Sequence, residues 1–394
     1  MFIREVKPRL IKNSRGERTI EITIKTYEGK FTASAPSGKS RGKNEVEPYH
    51  SKGIGHSLRI MKVLSRKLKY KNLIIKKLED LKKLDDFVRK FESRFGQLGG
   101  NFKYALETVV LKAAAKEKKK EFWELISETG KVKIPMPVGN CIGGGLHSVR
   151  LNRKKPDFQE FLLIPKEKTF SRAITLNLKA YEYAKKFLHA KKRNDENAWI
   201  TDKTNEEVLE ILKEAAKKYN LRIGVDFASS TFYEKGYYKY KNKELIRDKV
   251  EQSDFIERLI KKYNIFYCED PMQEEDFSGF KEIMNATGKG RLIVGDDLTT
   301  TNLHRVRRAV ESESINAVII KPNQIGSLLE VKKVVDFCKK NKIKMIFSHR
   351  SGETMDNALA DYCIGFGGDF IKCGIYGRER LIKLKRIIDI ERKD

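Results

Sequence analysis

Cysteine is scarce in this chain and never closely paired: Cys141, Cys268, Cys338, Cys363 and Cys373 are the only five in 394 residues, and none forms a CxxC. That spacing excludes a disulfide framework and a thiolate zinc site, and reads as free thiols in a reducing cytosol. Long apolar runs are missing too. No segment approaches the roughly 20 residues of a membrane span, and the first residues lack a signal-peptide core, so a cytoplasmic protein without membrane insertion is expected. Acidic residues are in deficit, 54 against 82 lysines and arginines, leaving a net charge of +28. No zinc finger, RNP-type aromatic motif or solenoid-length repeat accompanies that charge.

Two readings of the charge stay open. A field of this size attracts anions, whether phosphorylated metabolites, nucleic acid or acidic lipid. Yet the lysines are spread over what read as solvated helix faces, such as Lys76 to Lys83 and Lys116 to Lys120. A weak, salt-sensitive and sequence-independent association with nucleic acid is the expectation.

What the chain does have is a series of apolar runs that end in charge. Leu292 to Val294 leads into Asp296 and Asp297, and Ala317 to Ile320 ends in Lys321. Between them lies an amphipathic segment with Val306, Ala309 and Val310 on one helix face. This is a strand–helix–strand unit, and a right-handed crossover sets both strand ends on one edge of a parallel sheet. The pattern continues either side. Leu221 to Val225 ends in Asp226, Ile265 to Cys268 in Glu269 and Asp270, Met345 to Phe347 in Ser348, His349, Arg350 and Ser351, and Asp369 to Ile371 in Lys372. Six strands delivering charge from their C-terminal ends describe the active-site face of an α/β barrel. Asp226, Glu269 and Asp296 are an all-oxygen set suited to a hard divalent cation, or else strand-end partners for the many lysines.

The rest of the chain sorts around that barrel. Residues 1 to 35 read as a small antiparallel sheet, with Ile20, Ile22 and Ile24 alternating with polar neighbours. A glycine- and serine-rich loop carries Ser37 and Ser40. From about Ser57 to Ile126 the period is helical, with a stripe from Ala105 to Ala114 behind a cap at Asn101. A change of composition over Lys131 to Val138 marks the passage to the second domain, giving an N-terminal α+β domain over 1–130 and the barrel over 131–394. Cys141 to His147 reads as a mobile, glycine-rich loop whose histidine is structural or catalytic. Gln159 and Glu160 form a polar pair within an apolar strand; buried, they need partners or a ligand. Capping boxes at Thr204–Glu207 and Ser327–Glu330 open two later helices.

The motifs NSRGERTIEI, SAPSGKSRG, GGNFKYALETV, GGGLH, QEFLLIP, VDFASS, EDP, GDDLTTTN, IKPNQIGSL, SHRSGET and IKCG run from end to end of the chain. In order and spacing the sequence resembles the enolase (phosphopyruvate hydratase) family, and its shorter archaeal members in particular. The resemblance implies an eight-stranded TIM-like barrel that opens with a hairpin, preceded by a small α+β domain. It implies two Mg²⁺ per site, the first on Asp226, Glu269 and Asp296, the second arriving with substrate under Ser40. Lys321 would take the C2 proton of 2-phosphoglycerate. Glu196 would protonate the departing C3 hydroxyl, with Glu160 and Gln159 beside it. Lys372 would hold the substrate carboxylate, Arg350 and Ser351 the phosphate, and His147 and His349 would line the site. In this superfamily a lysine beside Mg²⁺ abstracts a proton α to a carboxylate, and the cation should lower the pKa of Lys321. A homodimer or larger homo-oligomer is implied as well.

Three departures bear on that expectation. The usual GDEGG around the acid is NDENA, Asn194 to Ala198, so residues with side chains replace flexible glycines. The usual NGGSH is GGGLH, and DSRG is NSRG at Asn13. They leave two other readings open: an enolase-fold protein serving as a basic nucleic-acid- or surface-binding protein, and a superfamily enzyme for a carboxylate without phosphate.

Overall fold

The computed structural model describes residues 1–39, 42–148, 155–288 and 290–393. β1 (Glu5–Lys12), β2 (Arg18–Lys25) and β3 (Lys30–Ser34) form an antiparallel meander. Ile20, Ile22 and Ile24 on β2 are fully buried. The sheet packs on the helix Gly100–Glu117, which is buried on nearly every face because the barrel lies on its other side. Asn101 is not the cap of that helix. Gly99 is, and the Asn101 side chain instead ties the two domains, donating to Tyr49 Oη (3.1 Å) and accepting from Asn323 (3.1 Å).

Twelve further strands follow: β4 (Met136–Gly143), β5 (Glu160–Pro165), β6 (Trp199–Ile200), β7 (Leu221–Asp226), β8 (Tyr233–Glu234), β9 (Tyr237–Tyr240), β10 (Leu245–Arg247), β11 (Ile265–Glu269), β12 (Leu292–Gly295), β13 (Ala317–Ile320), β14 (Lys344–Ser348) and β15 (Phe370–Lys372). β4, β5, β7 and β11 to β15 close into an eight-stranded barrel, β15 pairing with β4. β4 and β5 form the opening hairpin, and β5 is antiparallel to both of its neighbours. Along β13, Ala317 and Ile319 face the barrel interior while Val318 and Ile320 face the surrounding helices. Burial on both faces is why such strands read as unbroken apolar runs. Among the described residues, no helix is long and apolar enough to cross a membrane.

The reversed direction of β5 explains the polar pair before it. Gln159 precedes the strand and Glu160 opens it, opposite Asp226 at the end of β7. The pair therefore lies at the barrel mouth, at the start of the strand rather than along it. The segment expected to be a mobile loop is likewise ordered: Cys141 to Gly143 belong to β4, and His147 is buried in a short 3₁₀ turn, Gly145–Ser148. Thr204 and Glu207 make their capping box. Ser327 occupies an N-cap position without capping, and the buried Glu107 accepts the N–H of the first helical residue, Leu328, at 2.7 Å.

The N-terminal sheet closes over the mouth through a bridge between Ser37 and Gly352, with mutual N–H···O bonds of 2.8 Å. A Cβ on Gly352 would stand 2.4 Å from Asn13 Nδ2, so this approach requires glycine. Asn13 Oδ1 accepts the N–H of Arg15 and of Glu17, while its Nδ2 donates to Ser37 Oγ. An aspartate there could not donate.

Candidate active site

The charges at the strand ends find one another. Lys372 Nζ, at the end of β15, lies 3.0 Å from Asp226 Oδ2, 2.8 Å from both Glu269 oxygens and 3.1 Å from Glu160 Oε2. Burial works to lower the pKa of this ammonium, but the three carboxylates outweigh it and hold it well above the usual lysine range. Lys321, following β13, pairs with Asp296 Oδ2 across the neighbouring strand end. Burial again favours the neutral amine and Asp296 more than offsets it, so the Lys321 pKa is raised. The lowering expected of Lys321 belongs to the cation-bound site, and the side chains alone set the opposite direction.

The acids respond to the same crowding. Burial, then Asp226, pushes Glu269 up to about 8. Burial, then Asp296, pushes Asp297 up to about 7. Asp270, buried beside Asp297, is held well above the usual range while it accepts the N–H groups of Asp296 (3.1 Å) and Asp297 (2.7 Å).

A second cluster surrounds Glu196. Its Oε2 accepts from Asn140 Nδ2 at 3.1 Å and lies 3.5 Å from His349 Nε2, and its Oε1 is 3.7 Å from His147 Nδ1. His147 Nδ1 is also 3.6 Å from Glu160 Oε1. Burial and then Glu196 hold Glu160 well above the carboxylate range. Burial would raise Glu196 too, but the flanking imidazoles hold it well below. Burial also lowers both imidazoles, against the pull of Glu196.

The NDENA loop turns out to be braced. Asn194 Oδ1 accepts the N–H of Glu196 and of Ala198, each at 3.0 Å. Asn197 takes the positive φ (65°) that a glycine would otherwise supply, a conformation asparagine tolerates. Tyr181 Oη donates to its carbonyl at 2.6 Å. Asp195 reaches the N-terminal domain, with Lys39 Nζ 3.1 Å from its carboxylate.

On the last side of the pocket, Arg350 donates to both oxygens of Glu45 (3.1 and 3.0 Å) and to Asn323 Oδ1 (3.3 Å). Ser351 Oγ accepts the Lys39 N–H at 2.8 Å and Arg15 Nη1 at 3.3 Å. Glu160, Glu196, Lys321, Asp226, Asp296, His147, Gln159, His349, Arg350, Ser351 and Lys372 all line this one cavity. Glu269 lies behind Lys372. Ser40 lies outside the described residues. Asn140, Lys39 and Glu45 were not singled out from the sequence, and Asp270 and Asp297 were noted at strand ends without a role. For the two aspartates a signal existed, because each completes an acidic doublet at a strand end.

The donor set fits a divalent cation. Asp296 Oδ1 and Gln159 Oε1 are buried without a hydrogen-bond partner, and the surrounding donors are carboxylate oxygens, the chemistry of a hard cation. Oxygens of Asp270, Asp296 and Asp297 lie within 4.8 Å of one another, as do ligand atoms of His147, Glu160 and Glu196. The trio Asp226, Glu269 and Asp296 is split here between Lys372 and Lys321, each carboxylate taking the nearest ammonium.

Two family models match, "Enolase, N-terminal domain" over residues 3–126 and "Enolase, C-terminal TIM barrel domain" over 131–393. The protein named Enolase from Thermoplasma acidophilum is 38% identical over 403 residues, covering 99% of this chain and 98% of its own. Enolases from Picrophilus torridus and Methanosphaera stadtmanae are 35% and 34% identical, with 99% of this chain and 98% and 96% of theirs covered. With the barrel, the strand-end charges and these end-to-end matches in agreement, the chain belongs to the enolase family of hydro-lyases.

Proposed function

We propose that this chain interconverts 2-phosphoglycerate with phosphoenolpyruvate and water, Lys321 taking the proton from C2 and Glu196 delivering one to the departing C3 hydroxyl. One observation carries the assignment: an amine paired with a carboxylate and a carboxylate flanked by imidazoles face into the same cavity. Lys321 must first give up its own proton and release Asp296, and the neutral amine then accepts the proton from C2. Glu160, whose carboxyl is held well above the usual range, is the neighbouring proton source for Glu196. Arg350, Ser351 and Lys39 offer donors to the phosphate, and Lys372 offers its ammonium to the substrate carboxylate. Mg²⁺ on Asp226, Glu269 and Asp296, with a second arriving with substrate under Ser40, supplies when bound the positive charge that favours ionisation at C2.

The phosphate-binding set speaks against a superfamily enzyme for an unphosphorylated carboxylate, and the braced Glu196 loop speaks against a fold retained only for binding. We also propose a cytoplasmic homo-oligomer, in keeping with five buried free thiols, and domains of 1–130 and 131–394.

The test separates the two half-reactions. Glu196→Gln should still exchange the C2 hydrogen with deuterated water while phosphoenolpyruvate formation collapses, and Lys321→Ala should lose both. A placed acid or base supplies about 10²- to 10⁴-fold, so the contrast is measurable. Elimination persisting in the first variant, or exchange persisting in the second, would reverse the assignment.

A further inference from the structure

The far end of the barrel carries charge that this chemistry does not use. Near the starts of β7, β11 and β12, a cleft of about 490 Å³ is lined by Lys166, Lys213, Lys217, Arg222, Lys262 and Arg291, with no acidic residue among the lining. Arg222 and Asp226 are four residues apart on β7, about 13 Å at roughly 3.3 Å per residue, so the cleft is separate from the catalytic mouth. Only Lys262 has an acidic partner among the described residues, Glu210 at 3.4 Å. Arg291 is oriented by neutral acceptors, the carbonyls of Ile265 (3.1 Å) and Thr287 (2.8 Å) and Asn264 Oδ1 (3.2 Å). Lys213 and Lys217 stand one turn apart on the helix Asn205–Tyr219 and share a face. Clustered like charges repel, and among the described residues Glu210 alone offsets them in an ion pair.

We propose that this cleft binds the sugar–phosphate backbone of single-stranded nucleic acid. Exposed lysines on separate elements suit a chain of phosphates read for charge rather than sequence. The Arg222 guanidinium lies over the Phe266 ring at 4.3 Å, a flat cationic surface on which an unpaired base can stack. A lipid surface fits less well, because none of the exposed large apolar side chains lines the cleft.

The test is fluorescence anisotropy of the full chain with a labelled, unstructured single-stranded RNA over a range of salt. Lys213→Glu/Lys217→Glu should weaken binding about tenfold or more and flatten the log–log salt slope by about 1.4, at about 0.7 per lost phosphate contact. Lys62→Glu/Lys90→Glu makes the same change of net charge on exposed residues elsewhere and should bind like the parent. Phosphoenolpyruvate formation should be unaltered in both. If charge reversal unfolds the chain, Lys213→Gln/Lys217→Gln should show a smaller loss in the same direction. Equal weakening in the two double variants, no binding by the parent at physiological salt, or capture of anionic vesicles in place of RNA would each overturn the proposal.

Discussion

Asn194 holds Glu196 by accepting the acid's own backbone N–H through its side-chain oxygen at 3.0 Å. The same oxygen accepts from Ala198, so one side chain braces both sides of the acid. The space for it is made on β4, where a Cβ on Gly143 would stand 2.1 Å from Asn194 Nδ2. A loop that has lost its glycines has gained an internal brace.

Asn194→Gly should therefore loosen the acid. Loss of a side-chain acceptor of this kind costs about 1 kcal/mol, and a misplaced catalytic group loses rate steeply. We expect kcat to fall about tenfold while KM changes little, because in the proposed mechanism Glu196 acts at the step where hydroxide departs. An unchanged kcat would show that the brace has no part in placing the acid.

The barrel was legible because its strands advertise themselves. Ala317 to Ile320 is buried on both faces and Lys321 follows at once, so neither period nor propensity was needed to place the lysine. Glu160 was harder. A strand running against its neighbours brings its first residue, not its last, to the mouth, and nothing local in the sequence records direction. The long step from Asp226 to Glu269 holds an added three-stranded sheet, β8 to β10, whose two- to four-residue strands are too short to show a period. Glu45 gave no signal, since its role depends on Arg350, 305 residues away.

Glu45 and Arg350 are a buried pair bridging the two domains. Glu45→Gln removes the negative half and leaves the guanidinium uncompensated, which costs about 3–5 kcal/mol when a buried pair is broken. The same change frees Arg350 for anions. The variant should unfold at lower denaturant, yet be inhibited by inorganic phosphate at lower concentrations than the parent. Weaker phosphate inhibition would mean that Arg350 does not meet the phosphate.

Glu107 offers a pH test away from the site. Burial pushes its carboxyl up to about 8, against an ordinary glutamate value of about 4.3, although the Leu328 N–H pulls the other way. A raised carboxyl pKa favours the folded state fully below the unfolded value, and that advantage is lost as pH rises through the folded value. The stability of the parent relative to Glu107→Gln should therefore fall between about pH 5 and pH 8, by a few kcal/mol at about 1.4 kcal/mol per pKa unit. Denaturant unfolding at several pH values measures it. A difference that stays flat would place the Glu107 proton elsewhere.

Charge balance at the strand ends sets the last test. Among the described residues, Glu160, Asp226, Glu269 and Asp296 pair with two ammonium groups, Lys372 and Lys321. A divalent cation competes with those lysines for the same oxygens, so removing an acid and removing a lysine should act in opposite senses. Binding to the folded state alone adds about 2.7 kcal/mol of stability at a hundredfold excess over Kd, and a melting curve with and without Mg²⁺ reads that gain. In Asp296→Asn the rise in Tm with Mg²⁺ should shrink or vanish, since a ligand oxygen has lost its charge. In Lys372→Met the metal-free protein should melt lower than the parent, because three carboxylates lose their shared partner. Its gain on adding Mg²⁺ should then exceed the parent's. Equal gains in all three proteins would mean that the cation binds somewhere other than among these carboxylates.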